Sequence, residues 1–186
     1  MIFLNLVFSS EHKASRAEEI FKEALALKKL QHKNIVQLYH AFMLKNDLVL
    51  IMEHASGGEL LQYVIAKKGL EEVEAQLIFF QIVSAVCYFH ERYIIHRDLK
   101  LENILFSDDL KITPKVFYKK IIDFGIAGSN YGERKEASAA GTLSYMPPEI
   151  LSMNDLKSNA AIDIWALGVI LYAMVYGFMP YTGELI

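Results

Sequence analysis

Eight mostly polar residues, His96-Arg97-Asp98-Leu99-Lys100-Leu101-Glu102-Asn103, interrupt an otherwise apolar part of the chain. On one side stands Tyr93-Ile94-Ile95, and on the other the segment runs straight into Asn103-Ile104-Leu105-Phe106. Both flanks read as short strands, so the polar segment is a loop pinned at its two ends.

The rest of the chain supplies the elements that such a loop needs around it. Ser15 to Leu30 places Ile20, Phe21, Ala24, Leu25, Leu27 and Leu30 at spacings of three and four, which predicts an amphipathic helix. The runs Asn34-Ile35-Val36-Gln37-Leu38-Tyr39 and Leu48-Val49-Leu50-Ile51-Met52 predict strands joined by the turn Lys45-Asn46-Asp47. Ser56-Gly57-Gly58 breaks the pattern, with the pair Gly57-Gly58 reading as a hinge between two parts, and Glu59 to Ala66 restarts a helix. Glu71 to Tyr88 is a longer helix with Val73, Leu77, Phe80, Val83, Ala85 and Val86 on a wide apolar face. Lys111 to Lys120 predicts an irregular strand-turn-strand, and Ser129 to Ala139 has the small, polar composition of a loop. Ile164 to Val175 carries no charge, which predicts a helix buried on all sides. A helix, then strands, then mostly helix is an α+β order, with a small sheet beside a helical body.

Composition narrows the function classes. Of 186 residues, 53% are hydrophobic and 22% charged, enough apolar material for one domain with a real core. A net charge of −3 carries no basic excess, which argues against a nucleic-acid partner. Met1 to Phe8 and Ile164 to Val175 are both shorter than a bilayer requires, so no membrane partner is expected. The single cysteine, Cys87, excludes an internal disulfide and fits a reducing compartment, with the cytosol as default and the nucleus as alternative. Its neighbours Val86 and Tyr88 suggest a buried thiol.

The polar loop suits the transfer of a phosphoryl group. That chemistry needs the acceptor hydroxyl oriented and the phosphate charge neutralised, with little covalent help. A carboxylate at Asp98 can orient the hydroxyl, an ammonium at Lys100 can sit over the transferring phosphate, and the amide oxygen of Asn103 can bind a metal ion. Downstream, in the matching order, come Asp123-Phe124-Gly125 and then Gly141-Thr142, Tyr145 and Pro147-Pro148-Glu149. Together these segments resemble the catalytic loop, the metal-binding tripeptide and the end of the activation segment of protein kinases. Lys100, Leu30-Gln31-His32-Lys33-Asn34-Ile35-Val36 and Gly57-Gly58-Glu59-Leu60 make the chain most similar to Ser/Thr kinases of the calcium/calmodulin-dependent and AMP-activated branch.

The resemblance implies a bilobal protein kinase-like fold. Residues 1–53 would be a partial N-lobe, and 54–186 the hinge and an incomplete, mainly helical C-lobe. It implies ATP and Mg²⁺ as cofactors, with Asp123 and Asn103 as metal ligands. Glu23 matches the helix glutamate that pairs with the ATP-binding lysine. Met52 matches the residue beside the adenine pocket, Glu53 to Ala55 the segment that bonds adenine through its backbone, and Leu105 another nucleotide contact. Thr142 would help shape the hydroxyl site. Glu59 matches a residue that contacts ribose or a basic residue of the substrate, and with Glu102 it implies a protein substrate carrying basic residues before its Ser or Thr. Ser138 lies where an upstream kinase would add a phosphate, which Arg97 would pair with. Leu27, Leu38, His96 and Phe124 match a stack linking the lobes, and Asp163 matches a helix carboxylate that anchors the catalytic loop backbone.

The sequence departs from the pattern in four places. Pro147 replaces an alanine. The 20 residues from Asn103 to Asp123 are several more than in many kinases. Glu149 would pair with an Arg that the sequence to Ile186 does not contain. No glycine-rich loop precedes Glu23, and the lysine expected near Leu4 or Asn5 is absent. Either the chain is a piece of a longer active kinase, or it is a pseudokinase, a binding module that keeps the fold without turnover.

Overall fold

The computed structural model describes residues 2–7, 28–44, 47–108, 111–116, 143–151 and 160–181. Three strands form the first sheet. β1 (Ile2–Val7), β2 (Leu38–Leu44) and β3 (Asp47–Met52) lie in the order β1-β3-β2, with both pairings antiparallel. β3 is central because Leu48 to Met52 is apolar on both faces, with Leu50 fully buried and Met52 nearly so. β1 sets Leu4 opposite Leu50 and Asn5 opposite Val49, so the positions expected to hold the lysine do lie in the sheet.

Asn34 to Gln37 does not join this sheet, contrary to the expected strand. Its groups are used elsewhere: Ile35 N–H donates to His32 O, and the buried Asn34 reaches from its side-chain nitrogen to Pro114 O and Gln81. β2 therefore starts only at Leu38. The helix expected over Ser15 to Leu30 lies outside the described residues except for Lys28 to Leu30, which form a turn and its exit.

The helical body follows. α1 (Leu60–Lys67) ends at Lys68, whose φ of 59° turns the chain out of the helix before Gly69. α2 (Glu72–His90) opens with Glu72 and Glu74 at its positive end and contains neither Gly nor Pro. It stops in a Schellman motif: Ile94 N–H donates to Phe89 O and Tyr93 N–H to His90 O, with Tyr93 left-handed at φ 58°. That cap is why Tyr93-Ile94-Ile95 is not the expected strand. A short 3₁₀ turn (Leu101–Asn103) leads into β4 (Ile104–Asp108), which pairs antiparallel with β5 (Lys111–Val116) in a second, two-stranded sheet. The one-turn α3 (Pro148–Leu151) and α4 (Ala161–Tyr176) complete the described elements.

α2 is the spine of the core. Ala75, Ile78, Ile82, Ala85, Val86 and Phe89 are its buried face, packed with Ile170, Ala173 and Met174 of α4. The expected apolar face was set on the wrong side in part, since Val73, Leu77 and Phe80 are exposed. With so many apolar residues in α2, spacing alone does not say which stripe meets α4. Cys87 lies on the outer side and is exposed, which corrects its expected burial. Among the described residues α2 is the one helix long and apolar enough to cross a membrane, yet it carries this shared core. α4 is likewise not buried on all sides: Ile164 and Tyr176 are more than half exposed.

One backbone contact locks α1 to α4. Gly177, at φ 77°, ends α4 against the Lys68-Gly69 turn, and a Cβ built there would stand 2.6 Å from Lys68 C and 2.7 Å from Lys68 O. Leu70 N–H donates to Met174 O alongside it. Gly177→Ala combines a left-handed φ with that clash, so it destabilises by ~2 kcal/mol or more, measurable by urea denaturation. A loss within error of zero would mean the two turns separate at little cost.

Candidate active site

The polar loop alternates. Leu99 and Leu101 point into the core with 2% and 1% exposure, while Asp98, Lys100 and Glu102 between them stay partly exposed. Two apolar anchors thus hold the charged side chains outward in a fixed register. The loop is also braced from below. Asp163, fully buried at the start of α4, accepts His96 N–H at 2.9 Å and Arg97 N–H at 2.8 Å, and its Oδ2 lies 2.8 Å from His90 Nε2. This is the anchoring expected of Asp163. It matters because Arg97 adopts φ 67°, a left-handed backbone that a non-glycine residue holds only under restraint. His96 is fully buried, and its Nδ1 accepts Asp98 N–H.

Asp98, Lys100 and Asn103 converge. The Lys100 ammonium is 3.1 Å from Asp98 Oδ1. Asn103, only 2% exposed, donates from Nδ2 to Asp98 O at 2.7 Å and to Asp98 Oδ2 at 2.8 Å. Both amide hydrogens therefore face Asp98, and a cation approaching Asn103 would meet its carbonyl oxygen, Oδ1. A hard oxygen donor beside a carboxylate suits Mg²⁺, so the residues present fit the expected metal. Asp98 keeps two oxygens oriented by an amide and an ammonium, which is the arrangement a hydroxyl-orienting base needs.

Two of the expected nucleotide contacts, Glu59 and Leu105, are joined by an antiparallel bridge in the segment where residues 56–59 run along β4. Ser56 N–H donates to Ser107 O, Gly57 N–H to Phe106 O, and Phe106 N–H to Gly58 O, and Glu59 bridges Leu105. Leu105 is two residues past Asn103, so β4 follows directly on the polar loop. The same bonds tie Gly57 and Gly58 to β4. Met52, immediately before Glu53 to Ala55, is buried. Glu53 is engaged through its N–H and its carboxylate. Its N–H donates to Gln37 O, its Oε2 accepts Gln37 N–H, and its Oε1 is 2.6 Å from Lys115 Nζ. A base would therefore have to bond other backbone groups of this segment. Glu23, Asp123, Ser138 and Thr142, with Leu27 and Phe124, lie outside the described residues.

Three contributors were not expected from sequence. His90 supports Asp163 from the last turn of α2. Lys115 holds Glu53 from β5, inside the long segment before Asp123. Tyr145 bonds the loop itself: Leu101 N–H donates to its hydroxyl at 3.3 Å, and that hydroxyl donates to Glu102 Oε2 at 3.2 Å. Tyr145 was legible as part of a motif, but its partners are set by folding.

Comparison with known proteins gives a consistent picture. A family model described as protein kinase domain matches residues 5–185. NUAK family SNF1-like kinase 1 of Homo sapiens is 40% identical over 164 residues, covering 88% of this chain and 24% of that protein. The protein of the same name from Mus musculus gives the same identity and coverage. The chain thus spans about a quarter of the length of these relatives, 24% in each case. Among solved structures, Rad53 1-466 in complex with AMP-PNP superposes with a TM-score of 0.72 at 28% identity, covering 90% of this chain and 40% of that one. The expected α+β, kinase-like fold and the expected likeness to AMP-activated-type kinases are both borne out.

Proposed function

Because the chain belongs to the protein kinase domain family, we propose that it is the catalytic part of a longer serine/threonine kinase that moves the γ-phosphate of ATP to a protein hydroxyl. The observation that carries this reading is the trio Asp98, Lys100 and Asn103, joined within 3.1 Å. Asp98 orients the substrate Ser or Thr hydroxyl and draws off its proton as the oxygen bonds the γ-phosphorus and the bond to the ADP oxygen breaks. Lys100 offsets the charge of the phosphoryl group in transit. Asn103 Oδ1, with Asp123, would hold Mg²⁺, which when bound neutralises the phosphate oxygens. Leu105, Met52 and the backbone of Glu53 to Ala55 would line the base, with Glu59 near the ribose and Glu23 toward the phosphates. Thr142 would help shape the hydroxyl site. Phosphate on Ser138, added by an upstream kinase, would pair with Arg97 and order the loop between. Glu59 and Glu102 favour a protein substrate with basic residues before the target. The single cysteine and the charge of −3 favour a cytosolic or nuclear protein whose partners are neither nucleic acid nor membrane.

The absence of lysine at Leu4 and Asn5 favours a second reading, a nucleotide-binding module without turnover. Both readings meet in one experiment. The intact protein is incubated with Mg²⁺ and ATP labelled on the γ-phosphate, together with peptides that differ only in carrying Ser, Thr or Tyr. Label on Ser and Thr peptides and not on Tyr supports the kinase. A thermal shift with Mg·ATP but no label on any peptide supports the binding module. Label on Tyr alone overturns the assignment to Ser/Thr.

A further inference from the structure

His32 is half-buried against α2, and both of its ring nitrogens are used. Nδ1 accepts Asn34 N–H at 3.1 Å, and Nε2 lies 3.2 Å from Ser84 Oγ, 52 residues along the chain. An imidazole nitrogen that accepts a hydrogen bond carries no proton of its own. The neutral ring therefore keeps its hydrogen on Nε2, facing the Ser84 hydroxyl. The ring also lies against Tyr88, with centroids 5.0 Å apart, and the Tyr88 hydroxyl accepts Gln31 N–H at 3.0 Å. Two residues on, the fully buried Asn34 donates from Nδ2 to Pro114 O at 2.9 Å and to Gln81 Oε1 at 3.0 Å. Segment 31–34 is thus fastened to α2 and β5 by a set of contacts in which His32 is the member whose charge changes near neutral pH.

A proton added to this ring goes to Nδ1, where it meets Asn34 N–H as donor against donor. The new charge would also stand among cations. Lys33 is the next residue. Arg92 reaches back from the end of α2, with its guanidinium 3.5 Å from the centre of the Tyr88 ring, and Lys115 acts from β5. The carboxylates of Glu91 and Glu53 lie against Arg92 and Lys115 at 3.6 Å and 2.6 Å. Burial first, then Lys33, Arg92 and Lys115, hold the His32 pKa below its usual 6.5. We propose that His32 is a proton-operated latch: as the neutral ring it holds segment 31–34 on α2, and on taking up a proton it lets that segment go. The open form is the one that binds the proton, so closure is at full strength above the open-state pKa and weakens as pH falls below it. The released chain runs on to Gln37, whose N–H rests on the Glu53 carboxylate, so the effect of acid reaches toward Glu53 to Ala55. The latch itself requires neither nucleotide nor catalysis.

Hydrogen exchange of the intact protein, resolved to single amides by mass spectrometry, reads the latch directly. Protection of the Asn34 amide, corrected for the intrinsic exchange rate, falls about tenfold between about pH 7.5 and about pH 5.5. That is the ratio set by an open-state histidine titrating at 6.5. The Leu70 amide, which donates to Met174 O, keeps its protection over the same range. His32→Asn sets an amide oxygen within reach of Asn34 N–H, as in an Asx-turn, and carries no titrating group, so the fall disappears. Equal Asn34 protection at both pH values in the unaltered protein overturns the proposal. So does a fall that persists in His32→Asn, which would assign it to another group, or a fall shared equally by Leu70, which marks opening of the whole domain. If His32→Asn does not fold, His32→Gln replaces it, with the same predicted loss of pH dependence.

Discussion

Asp98→Asn lowers phosphoryl transfer by ~10³-fold while leaving the fold in place, the range a positioned acid–base group supplies. The substitution is nearly isosteric, but neither orientation of the new amide works. If its oxygen faces Asn103 Nδ2, as Asp98 Oδ2 does at 2.8 Å, its nitrogen points a donor at the Lys100 ammonium, 3.1 Å from the oxygen it replaces. If the amide turns over, donor meets donor at Asn103. In both cases the lone pair that would receive the hydroxyl proton is lost or redirected. The backbone bond from Asn103 Nδ2 to Asp98 O at 2.7 Å survives, which is why the loop stays folded. Initial rates with labelled ATP and a Ser peptide, beside a thermal melt of both proteins, check this. A rate within fivefold of the unaltered protein would remove Asp98 from the chemistry.

Asp163→Ala is expected to cost the most stability of any single change in the described part of the molecule. The carboxylate is fully buried and engages three groups: His96 N–H, Arg97 N–H and His90 Nε2. Alanine leaves two backbone donors and an imidazole without that acceptor, the bond to His96 buried and the other two partly so. Orphaned buried donors of this kind cost ~1–3 kcal/mol each, so a total of about 3–5 kcal/mol follows once local relaxation is allowed. The left-handed Arg97 also loses the restraint that holds it at φ 67°. For a domain of this size that corresponds to a fall in melting temperature of roughly 10 °C. Asp163→Asn should fall between, because the amide keeps one acceptor and sets a donor against the other N–H. A melt of Asp163→Ala within 3 °C of the unaltered protein would mean that the loop is braced from elsewhere.

What could be read in the chain follows how locally each feature is determined. The convergence of Asp98, Lys100 and Asn103 was legible because they sit within six residues, and Leu99 and Leu101 alternate with them. Asp163 was legible only through the resemblance to protein kinases, which matched it to the helix carboxylate that anchors the loop. Strands were less secure. Asn34 to Gln37 has the composition of a strand, but Asn34 is taken up by Pro114 and Gln81, and no local pattern encodes a partner 80 residues away. Tyr93-Ile94-Ile95 is apolar and β-prone, yet its first residue is used to cap α2. The face of α2 was half misread because Val73, Leu77 and Phe80 compete with Ile78, Ile82 and Phe89 for the core, and the packing of α4 settles which stripe wins. Cys87 follows the exposed stripe. Lys115, His90 and Tyr145 act through partners 62, 73 and 44 residues away, as Glu53, Asp163 and Leu101 show. Spacing says nothing about contacts of that range.

In the proposed kinase, Asp98 and Asn103 face the terminal phosphate of a metal-bound nucleotide. A crystal structure of the intact protein soaked with Mg²⁺ and a non-hydrolysable ATP analogue measures it directly. The expected result is Mg²⁺ within about 2.1 Å of Asn103 Oδ1, the γ-phosphate beside Lys100, and the base against Glu53 to Ala55. A nucleotide bound with its phosphates turned away from Asn103, or a metal held by other residues altogether, would contradict it.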